Sequence, residues 1–527
     1  MAYYENENTF NKLMMLKGEE AFHNKYEDAL ENIKSQFGRR YTMIINGKYL
    51  NTIETFVHTS PIDTRLILGY FPSGSAKHVQ QAVNAAKKAF ESWGKTHYKQ
   101  RIDICRTIAE IMSRRKFELA AWLSYENGKN RYEAIADVDE AIDFIRYYSK
   151  EMENNNGFAV QTKSAYPNEK SKSLMKPYGV WGVIAPFNFP AAILIGMSIG
   201  ALITGNTIVL KPASDTPIIA YKFAEIVKEA VLPDGVLNFI TGSGSKVGQA
   251  IVNSEDIAGI VFTGSREIGY RMTKEFSKVK PRPVIAELGG KNPSIVTENA
   301  DLDKAIEGIT KAAFGYAGQK CSACSRVYVQ KNVKNKFIER LVEKTKNLPV
   351  GNPLDPNTFI GPLINSTAYK NYQKYVKLAY RDGGKVLLGG FVKKDGDLKY
   401  GYYIEPTIIW GLPKDHVLFR EELFVPILCV TDYEGLDEAI RQCNDSVYGL
   451  TAGIYSNKEE EINWFLDNIE CGIVYVNRSI GATTGAMVGC QSFGGWKDSG
   501  TTSKGTGGPY YLIQFMREQS QTIVDEK

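Results

Sequence analysis

The sequence predicts an α/β protein built on open, mostly parallel sheets, and two observations support that prediction. From Val180 onwards, short apolar runs with strand character alternate with longer segments of helical character. A second alternation of the same kind follows Asn292 and continues to about residue 476. Because parallel strands need a crossover connection, usually a helix, such alternation is typical of βαβ units. A chain of 527 residues is also too long for a single hydrophobic core.

The segment before the first alternation is predicted to be mainly helical. The first forty residues are charged and helical in character, and residues 41–48 have the pattern of a strand that enters a turn. Residues 76–93 form the clearest amphipathic helix, because apolar side chains recur every three or four positions and Ser75 can cap its first turn. More helix is expected up to about Lys150.

The two alternations predict individual strands and helices. In the first, strands are predicted at residues 180–185, 207–211, 236–241, 258–263 and 283–287. The helices between them are predicted at residues 191–204, 216–230, 245–253 and from Ser265 onwards. The second begins with strand 293–296, helix 301–318, strand 326–330 and helix 333–346. Strands that are apolar throughout indicate sheets buried on both faces.

Residues 154–177 interrupt the first alternation with polar sequence that is compatible with strands. Two interpretations stay open: this segment is a flexible linker, or it is a β-hairpin arm that pairs with another subunit. We expect two α/β domains with the functional site in the cleft between them, since ligand sites occur preferentially at domain interfaces.

Composition and charge are those of an ordinary globular enzyme and argue against several other classes of protein. Apolar residues make up 43% of the chain and charged residues 23%, and the net charge is +5. Basic residues form no long run, which argues against nucleic-acid or membrane-surface partners. No apolar stretch is long enough to span a bilayer, and the polar N-terminus is unlike a signal peptide. Seven cysteines at irregular spacing indicate reduced thiols in a cytoplasmic protein.

Cys321 is the candidate nucleophile. It lies in the segment Gly318–Arg326, whose small residues leave room for a substrate, and an adjacent backbone N–H can donate to a developing oxyanion. The general alternative is that a free cysteine is a small buried hydrophobic residue. The spacing to Cys324 would allow a redox pair or half of a zinc site, but the other cysteines are isolated, and we expect Cys324 to be a packing residue. Thiol attack on a carbonyl requires no metal ion.

A carboxylate and an amide are the candidate partners of Cys321. Glu287 ends a predicted strand and precedes two glycines, which indicate a close backbone approach in a functional loop; an ordinary solvated glutamate is the alternative. A carboxylate at this place can activate water against a thioester. Asn188 lies between two prolines in a stiff turn, where its side chain either stabilises the turn or donates to an oxyanion.

The signals for a nucleotide cofactor are of unequal strength. The glycine-rich segment 242–248 has the wrong glycine spacing for a dinucleotide fingerprint, and its lysine is misplaced for a phosphate-binding loop. The segment 262–265 ends a predicted strand and opens a helix, so its N–H groups are better placed to bind a pyrophosphate. Lys211, at the end of another predicted strand, can reach ribose hydroxyls.

Six motifs, in order and at fitting spacing, resemble the aldehyde dehydrogenase superfamily from about residue 42 to residue 500. They are Phe187-Asn188-Phe189-Pro190, Lys211-Pro212, Phe262-Thr263-Gly264-Ser265, Glu287-Leu288-Gly289-Gly290, Gly318-Gln319-Lys320-Cys321 and Glu421-Glu422-Leu423-Phe424-Val425-Pro426. The resemblance implies that Cys321 is the nucleophile, Glu287 the general base, and Asn188 with the Cys321 N–H the oxyanion hole. It also implies NAD as the cofactor, with Lys211 and Ser214 at the adenosine ribose, Gly264 and Ser265 at the pyrophosphate, Glu422 at the nicotinamide ribose and Phe424 beside the nicotinamide.

Two departures from the superfamily pattern stand out. Many members carry a glutamate three residues after the lysine of the Lys-Pro motif, where it binds the 2′-hydroxyl and repels a 2′-phosphate. Ser214 stands there in this chain, so that charge is missing and NADP stays possible beside NAD. Val425 replaces a common glycine before Pro426, and the sequence offers no physical account of its effect.

Three stretches resemble one group of the superfamily, the 1-pyrroline-5-carboxylate dehydrogenases. They are residues 22–47, Cys321–Arg326, and the glycine-rich residues 485–500 with their continuation to Leu512. We call residues 485–500 the anchor loop; a plain glycine-rich connection is the alternative. The substrate contacts that the resemblance implies are Ser322, Gly485 and Ala486 at a carboxylate and Phe493 at the aliphatic part.

The anchor loop also has a physical logic of its own. Many glycines and few acids favour a concave nest of backbone N–H groups, which can hold a carboxylate. Arg478 lies nearby, either as a cationic helper or as a surface residue. Glu140 is a candidate contact for an α-ammonium group.

The activity that the resemblance implies is the NAD(P)-dependent oxidation of L-glutamate γ-semialdehyde, formed from 1-pyrroline-5-carboxylate, to L-glutamate in proline catabolism. Alternatives are another carboxylated aldehyde, such as succinic or 2-oxoglutarate semialdehyde, and a non-catalytic binding or structural protein with the same fold. A homo-oligomer is also implied. The expected division of the chain is a dinucleotide-binding domain (1–157, 178–285 and 478–505), a catalytic domain (286–477) and a β oligomerisation arm (158–177 and 506–527).

Overall fold

The computed structural model describes residues 5–525 and confirms the predicted α/β class. Two large sheets, each mainly parallel, are built from strands that alternate with helices along the chain. Residues 1–4, at the start of the polar N-terminus, and the last two residues of the predicted arm, 526 and 527, lie outside the described part. Within residues 5–525, no helix is both long enough and apolar enough to cross a membrane.

The first sheet is formed by the strands of the first alternation and a hairpin that precedes them. Its spatial order is Val284–Glu287, Gly259–Thr263, Val180–Ile184, Thr207–Lys211, Leu237–Phe239, Met43–Ile45 and Lys48–Leu50. The first five strands are parallel to one another, and the last two join antiparallel. The central strands are almost wholly buried, which explains their continuous apolar sequence.

Nine α-helices belong to the described part of the chain up to residue 276, and a π-helical turn, Gly244–Gly248, precedes the eighth of them. They are Thr9–Lys17, Glu19–Lys34, Ala76–Trp93, Tyr98–Asn127, Arg131–Asn154, Ala192–Ile203, Pro217–Glu229, Gln249–Asn253 and Arg266–Phe276. The helix Ala76–Trp93 agrees with its predicted bounds, and Ser75 closes its first turn in a capping box with His78.

Along the sequence, the last strand of the first sheet ends at Glu287, and the first strand of the second sheet begins at Asn292. Its spatial order is Lys385–Leu388, Thr407–Trp410, Ile427–Tyr433, Cys324–Gln330, Asn292–Val296, Thr451–Tyr455 and Ile473–Val476. Lys385–Leu388 is antiparallel to its neighbour, and the others are parallel. Its helices are Leu302–Phe314, Lys334–Lys346, Ser366–Arg381, Val417–Arg420, Leu436–Asn444 and Glu459–Asn468. The domain limits given above stay a prediction.

The predicted helix 301–318 is wrong in its last turn. The helix ends at Phe314, and a short 3-10 turn follows over Gly315–Gly318. Within that turn, Tyr316 and Ala317 have φ angles of 49° and 52°, in the left-handed region that non-glycine residues rarely adopt. Apolar spacing cannot reveal such a break. It redirects the chain just before Cys321, and strained backbone of this kind often accompanies functional sites.

Residues 154–177 are not a linker, so that interpretation is wrong. They form a hairpin of strands Ala159–Thr162 and Glu169–Pro177, and the C-terminal strand Met516–Val524 pairs antiparallel with the second of these. The three strands form a separate sheet with mostly exposed or half-exposed side chains. Smaller sheets join Arg39–Arg40, Thr55–Thr59 and Ile67–Pro72, and Tyr448–Gly449 with Trp496–Lys497.

The register of the first sheet aligns several predicted site residues along one edge. Lys211 is opposite Ile184, and Glu287 is opposite Thr263. All four residues end their strands. Asn188 follows Ile184 and Gly264 follows Thr263, so both lie at the same carboxyl edge of the sheet. Ligands of open parallel sheets bind at this edge.

Candidate active site

A cavity of about 370 Å³ brings together six of the predicted site residues. They are Cys321, Glu287, Ser322, Gly485, Ala486 and Phe493. Segments far apart in the sequence form the wall, including the helix Arg131–Asn154, the end of the first sheet and the anchor loop. The predicted cofactor residues and Asn188 do not line this cavity in the described part of the chain.

The two glycines after Glu287 allow the close backbone approach that the sequence predicts. A Cβ atom on Gly289 would lie 2.3 Å from Glu422 Oε2, and one on Gly290 would lie 2.4 Å from the Cys321 carbonyl oxygen. Both approaches are therefore open only to glycine. The side chain of Asn292 adds a tie, because its Nδ2 donates to the same Cys321 carbonyl at 2.7 Å. These contacts fix the Cys321 loop against the end of the Glu287 strand.

The thiol of Cys321 is half-buried and free of any disulfide. Burial raises its pKa, and the nearby carboxylates of Glu422 and Glu287 raise it further, whereas backbone N–H groups of Ser322 and Cys321 lower it. Glu287 therefore opposes ionisation of the Cys321 thiol, whereas the local N–H dipoles favour it. In the protein alone, the thiol is protonated at neutral pH.

Glu287 lies at the end of its strand with its carboxyl group facing the cavity. Burial raises its pKa to about 8, and a hydrogen bond from Gly495 N to Oε2, at 3.3 Å, lowers it only partly. The backbone is fixed on both sides, because Gly264 N donates to Glu287 O and Leu288 N donates to Ser499 O. A carboxyl group with a pKa near neutrality is suited to accept a proton and release it again.

Asn188 lies in the turn that follows the strand Val180–Ile184, and only 3% of its surface is exposed. No other residue in the described range 5–525 forms a hydrogen bond with its side chain, so the amide is not used to stabilise the turn. Its neighbour Phe189 lines the cavity, and Phe187 contacts the ring of Phe424 edge-on at 5.7 Å. The amide N–H groups of Asn188 thus stay available as donors.

The predicted cofactor residues of the first sheet lie along its carboxyl edge. Lys211 is buried, which lowers its pKa to about 8, and its Nζ donates to Pro212 O at 2.9 Å. An ammonium group has three donors, so others remain for hydroxyl groups of a ligand. Gly264 and the exposed Ser265 open the helix Arg266–Phe276, where free N–H groups favour an anion. This edge fits a dinucleotide, and Ser214 beside it is exposed.

Glu422 and Phe424 are not among the residues that line the cavity. Glu422 Oε1 accepts a hydrogen bond from Gly290 N at 3.0 Å, and burial raises its pKa to about 7. Phe424 has a φ angle of 57°, a strained conformation for an aromatic residue. Val425, whose effect the sequence leaves unexplained, is buried and its carbonyl lies against Gly318.

The anchor loop passes over the cavity with free backbone donors. No described residue accepts a hydrogen bond from Gly485 N or Ala486 N, and Ser322 Oγ is likewise unengaged within residues 5–525. Arg478 is not simply a surface residue: its guanidinium donates to Thr484 O at 2.9 Å and to Gly485 O. It therefore orients the start of the loop. A carboxylate can be bound by donors arranged in this way.

One side of the cavity is charged, and most of its residues were not indicated by the sequence motifs. Lys320 forms an ion pair with Glu133 at 2.6 Å, and the fully buried Lys129 pairs with Asp137 at 2.7 Å. Glu140 also lines the cavity, and burial raises its pKa to about 8. Lys320 belongs to one of the six motifs, whereas Lys129, Glu133, Asp137 and Glu140 lie outside them, and the only signal for these four was the Glu140 assignment.

Comparison with known proteins agrees with this architecture. The model of the aldehyde dehydrogenase family matches residues 50–521. The chain is 39% identical over 510 residues to the 1-pyrroline-5-carboxylate dehydrogenase of Geobacillus sp. (strain WCH70), and the match covers 96% of each chain. For the Bacillus subtilis (strain 168) protein of the same name, the identity is 38% over 501 residues, covering 94% of this chain and 95% of the other.

Solved structures give the same result. The crystal structure of 1-pyrroline-5-carboxylate dehydrogenase from Thermus with bound NAD superposes with a TM-score of 0.94 at 36% sequence identity, and the match covers 100% of both chains. Both the sequence and the fold thus match over nearly the whole length. The chain therefore belongs to the aldehyde dehydrogenase family.

Proposed function

We propose that this chain is an NAD-dependent aldehyde dehydrogenase that oxidises L-glutamate γ-semialdehyde, formed from 1-pyrroline-5-carboxylate, to L-glutamate in proline catabolism. One observation carries the proposal: a single cavity holds the Cys321 thiol, the Glu287 carboxyl group and unengaged donors at Ser322, Gly485 and Ala486. A nucleophile and a carboxylate anchor in one cavity suit an aldehyde that carries a carboxylate at its far end. The similar proteins described above are named as dehydrogenases of 1-pyrroline-5-carboxylate.

The first step is loss of the Cys321 thiol proton to water and attack of the resulting thiolate on the aldehyde carbon, which converts the carbonyl oxygen into an oxyanion. The Asn188 amide and the Cys321 N–H donate to that oxygen. A dinucleotide bound at Lys211, Ser214, Gly264, Ser265, Glu422 and Phe424 would supply the hydride acceptor. Cys321 holds the carbon in place while it becomes the carbonyl of a thioester.

The second step is hydrolysis of that thioester. Glu287 removes a proton from water, the water oxygen attacks the thioester carbon, and the carbon–sulfur bond breaks to leave the carboxylic acid and the Cys321 thiolate. A pKa of about 8 lets Glu287 lose and regain a proton near neutral pH. Cys321 is the nucleophile of the first step, but water is the nucleophile of the second, and Glu287 is needed as the base that activates this water.

The substrate's far end meets two kinds of group. Its carboxylate accepts hydrogen bonds from Ser322 Oγ and from the N–H groups of Gly485 and Ala486, and Phe493 packs on its methylene groups. Its α-ammonium group faces the acidic side of the cavity, where Glu140 lies.

We also propose that the protein works in the cytoplasm and forms a homo-oligomer. The subunits would associate through the three-stranded arm sheet.

Replacing Asn188 with alanine is expected to lower kcat by about 10²- to 10³-fold, because one oxyanion donor is lost. The measurement is steady-state NADH formation with saturating semialdehyde. Asn253→Ala, on an exposed helix end, serves as the control and should retain full activity. A kcat for Asn188→Ala within threefold of the wild type would assign Asn188 only a structural role in its turn.

The proposed function is tested by comparing kcat/KM for 1-pyrroline-5-carboxylate, succinic semialdehyde and propionaldehyde, each with NAD and with NADP. We expect the pyrroline substrate to exceed both others by at least about tenfold, since each good contact to a charged end contributes roughly this factor. A preference for propionaldehyde would overturn the carboxylate anchor, and a preference for succinic semialdehyde would favour the alternative substrate.

A further inference from the structure

The N-terminal segment closes one end of the catalytic cavity. Glu7 and Asn8 line the same cavity as Cys321, although more than 300 positions separate them in the sequence. We call residues 6–8 the N-terminal strap. The strap precedes the region that the family model matches, which begins at residue 50.

A dense set of polar contacts holds the C-terminal end of the strap in place. Thr9, which begins the first helix, donates from its N and Oγ1 to the two carboxylate oxygens of Asp139, at 2.8 and 2.7 Å. Lys116 Nζ lies 3.1 Å from Glu7 Oε2 and 3.2 Å from Asp139 Oδ1, and Arg146 also pairs with Glu7. The buried carboxylates are thus matched by cations. A segment held in this way has a fixed position over the cavity.

Asn6 then connects two walls of the cavity. Its Nδ2 donates to Asp143 Oδ2 at 3.0 Å, on the helix Arg131–Asn154, and to Val488 O at 2.9 Å, in the anchor loop. Glu7 N donates to the other oxygen of Asp143 at 2.8 Å. On the loop side, the Cys490 thiol lies 3.5 Å from Asn6 Oδ1. The Asn6 side chain therefore ties the anchor loop directly to the helix Arg131–Asn154 at Val488, next to the hydrogen bond from Gly489 N to Gly507 O at 2.9 Å.

The anchor loop needs such a tie because its own sequence gives it little rigidity. Glycine residues 485 and 489 both have positive φ angles, and glycine loses more conformational entropy on ordering than any other residue. The start of the loop is held by Arg478, whereas Val488 is held by Asn6. A binding loop must keep its donors within about 0.5 Å of their productive positions.

We propose that the N-terminal strap positions the anchor loop for the substrate carboxylate, with Asn6 as the positioning residue. This inference rests on the proposed function, since it assumes that the loop binds a carboxylate. Asn6 itself does not contact the reacting atoms. Its effect is on the affinity for aldehydes that carry a carboxylate and not on the chemical steps at Cys321.

The test is Asn6→Ala in the full-length protein, assayed with 1-pyrroline-5-carboxylate and with propionaldehyde. We expect KM for the pyrroline substrate to rise about 5- to 10-fold, the effect of one lost hydrogen bond, with kcat unchanged within about twofold. KM for propionaldehyde should not change. Hydrogen–deuterium exchange of peptides covering residues 485–491 should accelerate, whereas peptides around Cys321 should keep their rates.

Glu5→Gln is the matched control, because Glu5 is adjacent but exposed and pairs only loosely with Lys12 at 3.8 Å. It should leave both KM values and the exchange rates unchanged. Equal rises in KM for both aldehydes, or a fall in kcat, would indicate general damage to the site and overturn the positioning role. Unchanged KM and unchanged exchange in Asn6→Ala would also overturn it.

The wild-type protein separates this inference from the proposed function. A wild-type preference for propionaldehyde over the pyrroline substrate would contradict the proposed function and the strap inference together. If the wild type prefers the pyrroline substrate while Asn6→Ala behaves like the wild type, the proposed function stands and the strap inference alone is wrong.

Discussion

Replacing Cys321 with alanine is expected to lower NADH formation by at least about 10⁴-fold, the largest effect of any single substitution in this chain. Without the sulfur there is no covalent adduct, so no carbon is held from which a hydride can leave. The rest of the site should be intact, because Asn292 and Gly290 hold the loop through the Cys321 carbonyl and not through its side chain. Steady-state turnover with NAD and the pyrroline substrate measures the loss.

Cys324→Ala is the control for this experiment. Cys324 begins the strand that follows the Cys321 loop and is buried in the core of the second sheet, and its thiol donates to the Arg326 carbonyl at 3.6 Å. It should lose some stability, as large-to-small substitutions in a core do, but keep its turnover number. If Cys324→Ala were as inactive as Cys321→Ala, the two thiols would act as a redox pair, and the nucleophile assignment would be wrong.

Replacing Glu287 with glutamine is expected to separate the two chemical steps. Thioester formation should continue, giving a burst of about one NADH per active site, and the steady state that follows should be slower by about 10²- to 10⁴-fold. Glutamine keeps the acceptor for Gly495 N but cannot take a proton from water. Stopped-flow absorbance of NADH resolves the burst from the steady state.

The pH dependence of the wild-type steady state provides the complementary test. Burial raises the pKa of Glu287 to about 8, so the carboxyl group is mainly protonated at pH 6 and becomes a base as the pH rises. If hydrolysis limits turnover, kcat should increase by roughly tenfold per pH unit below pH 8 and level off above it. Glu287→Gln should lose this dependence. A first burst that disappears in Glu287→Gln would instead place Glu287 in thioester formation.

Much of the fold could be predicted from the sequence because its strands are buried and its helices amphipathic. The strand Thr207–Lys211 and the helix Ala76–Trp93 have the predicted bounds. The helix that was predicted to reach residue 318 ends four residues earlier, since the left-handed Tyr316 and Ala317 break it. Such a break depends on tertiary contacts, here the packing of Gly318 against the Val425 backbone.

For the candidate site as well, residues in local motifs could be predicted from the sequence, whereas residues brought in by long-range contacts could not. Glu287 and Cys321 could be singled out because each lies in a recognisable motif, and the two glycines after Glu287 indicated the close approach that the structure contains. The positions of Lys129 and Glu133 in the charged side of the cavity, and the N-terminal strap, could not be predicted. Asn6 meets Val488 across 482 positions of sequence, through a single hydrogen bond that no periodicity records.

The most direct test of the account is to identify the atom that carries the acyl group. Glu287→Gln would be mixed with NAD and 1-pyrroline-5-carboxylate, quenched in acid during the slow phase, and digested for peptide mass spectrometry. The proposed mechanism predicts one adduct per chain, with the mass of a glutamyl thioester, on the peptide that contains Cys321 and not on peptides with the other cysteines. An adduct elsewhere, or NADH formation with no adduct at all, would contradict it.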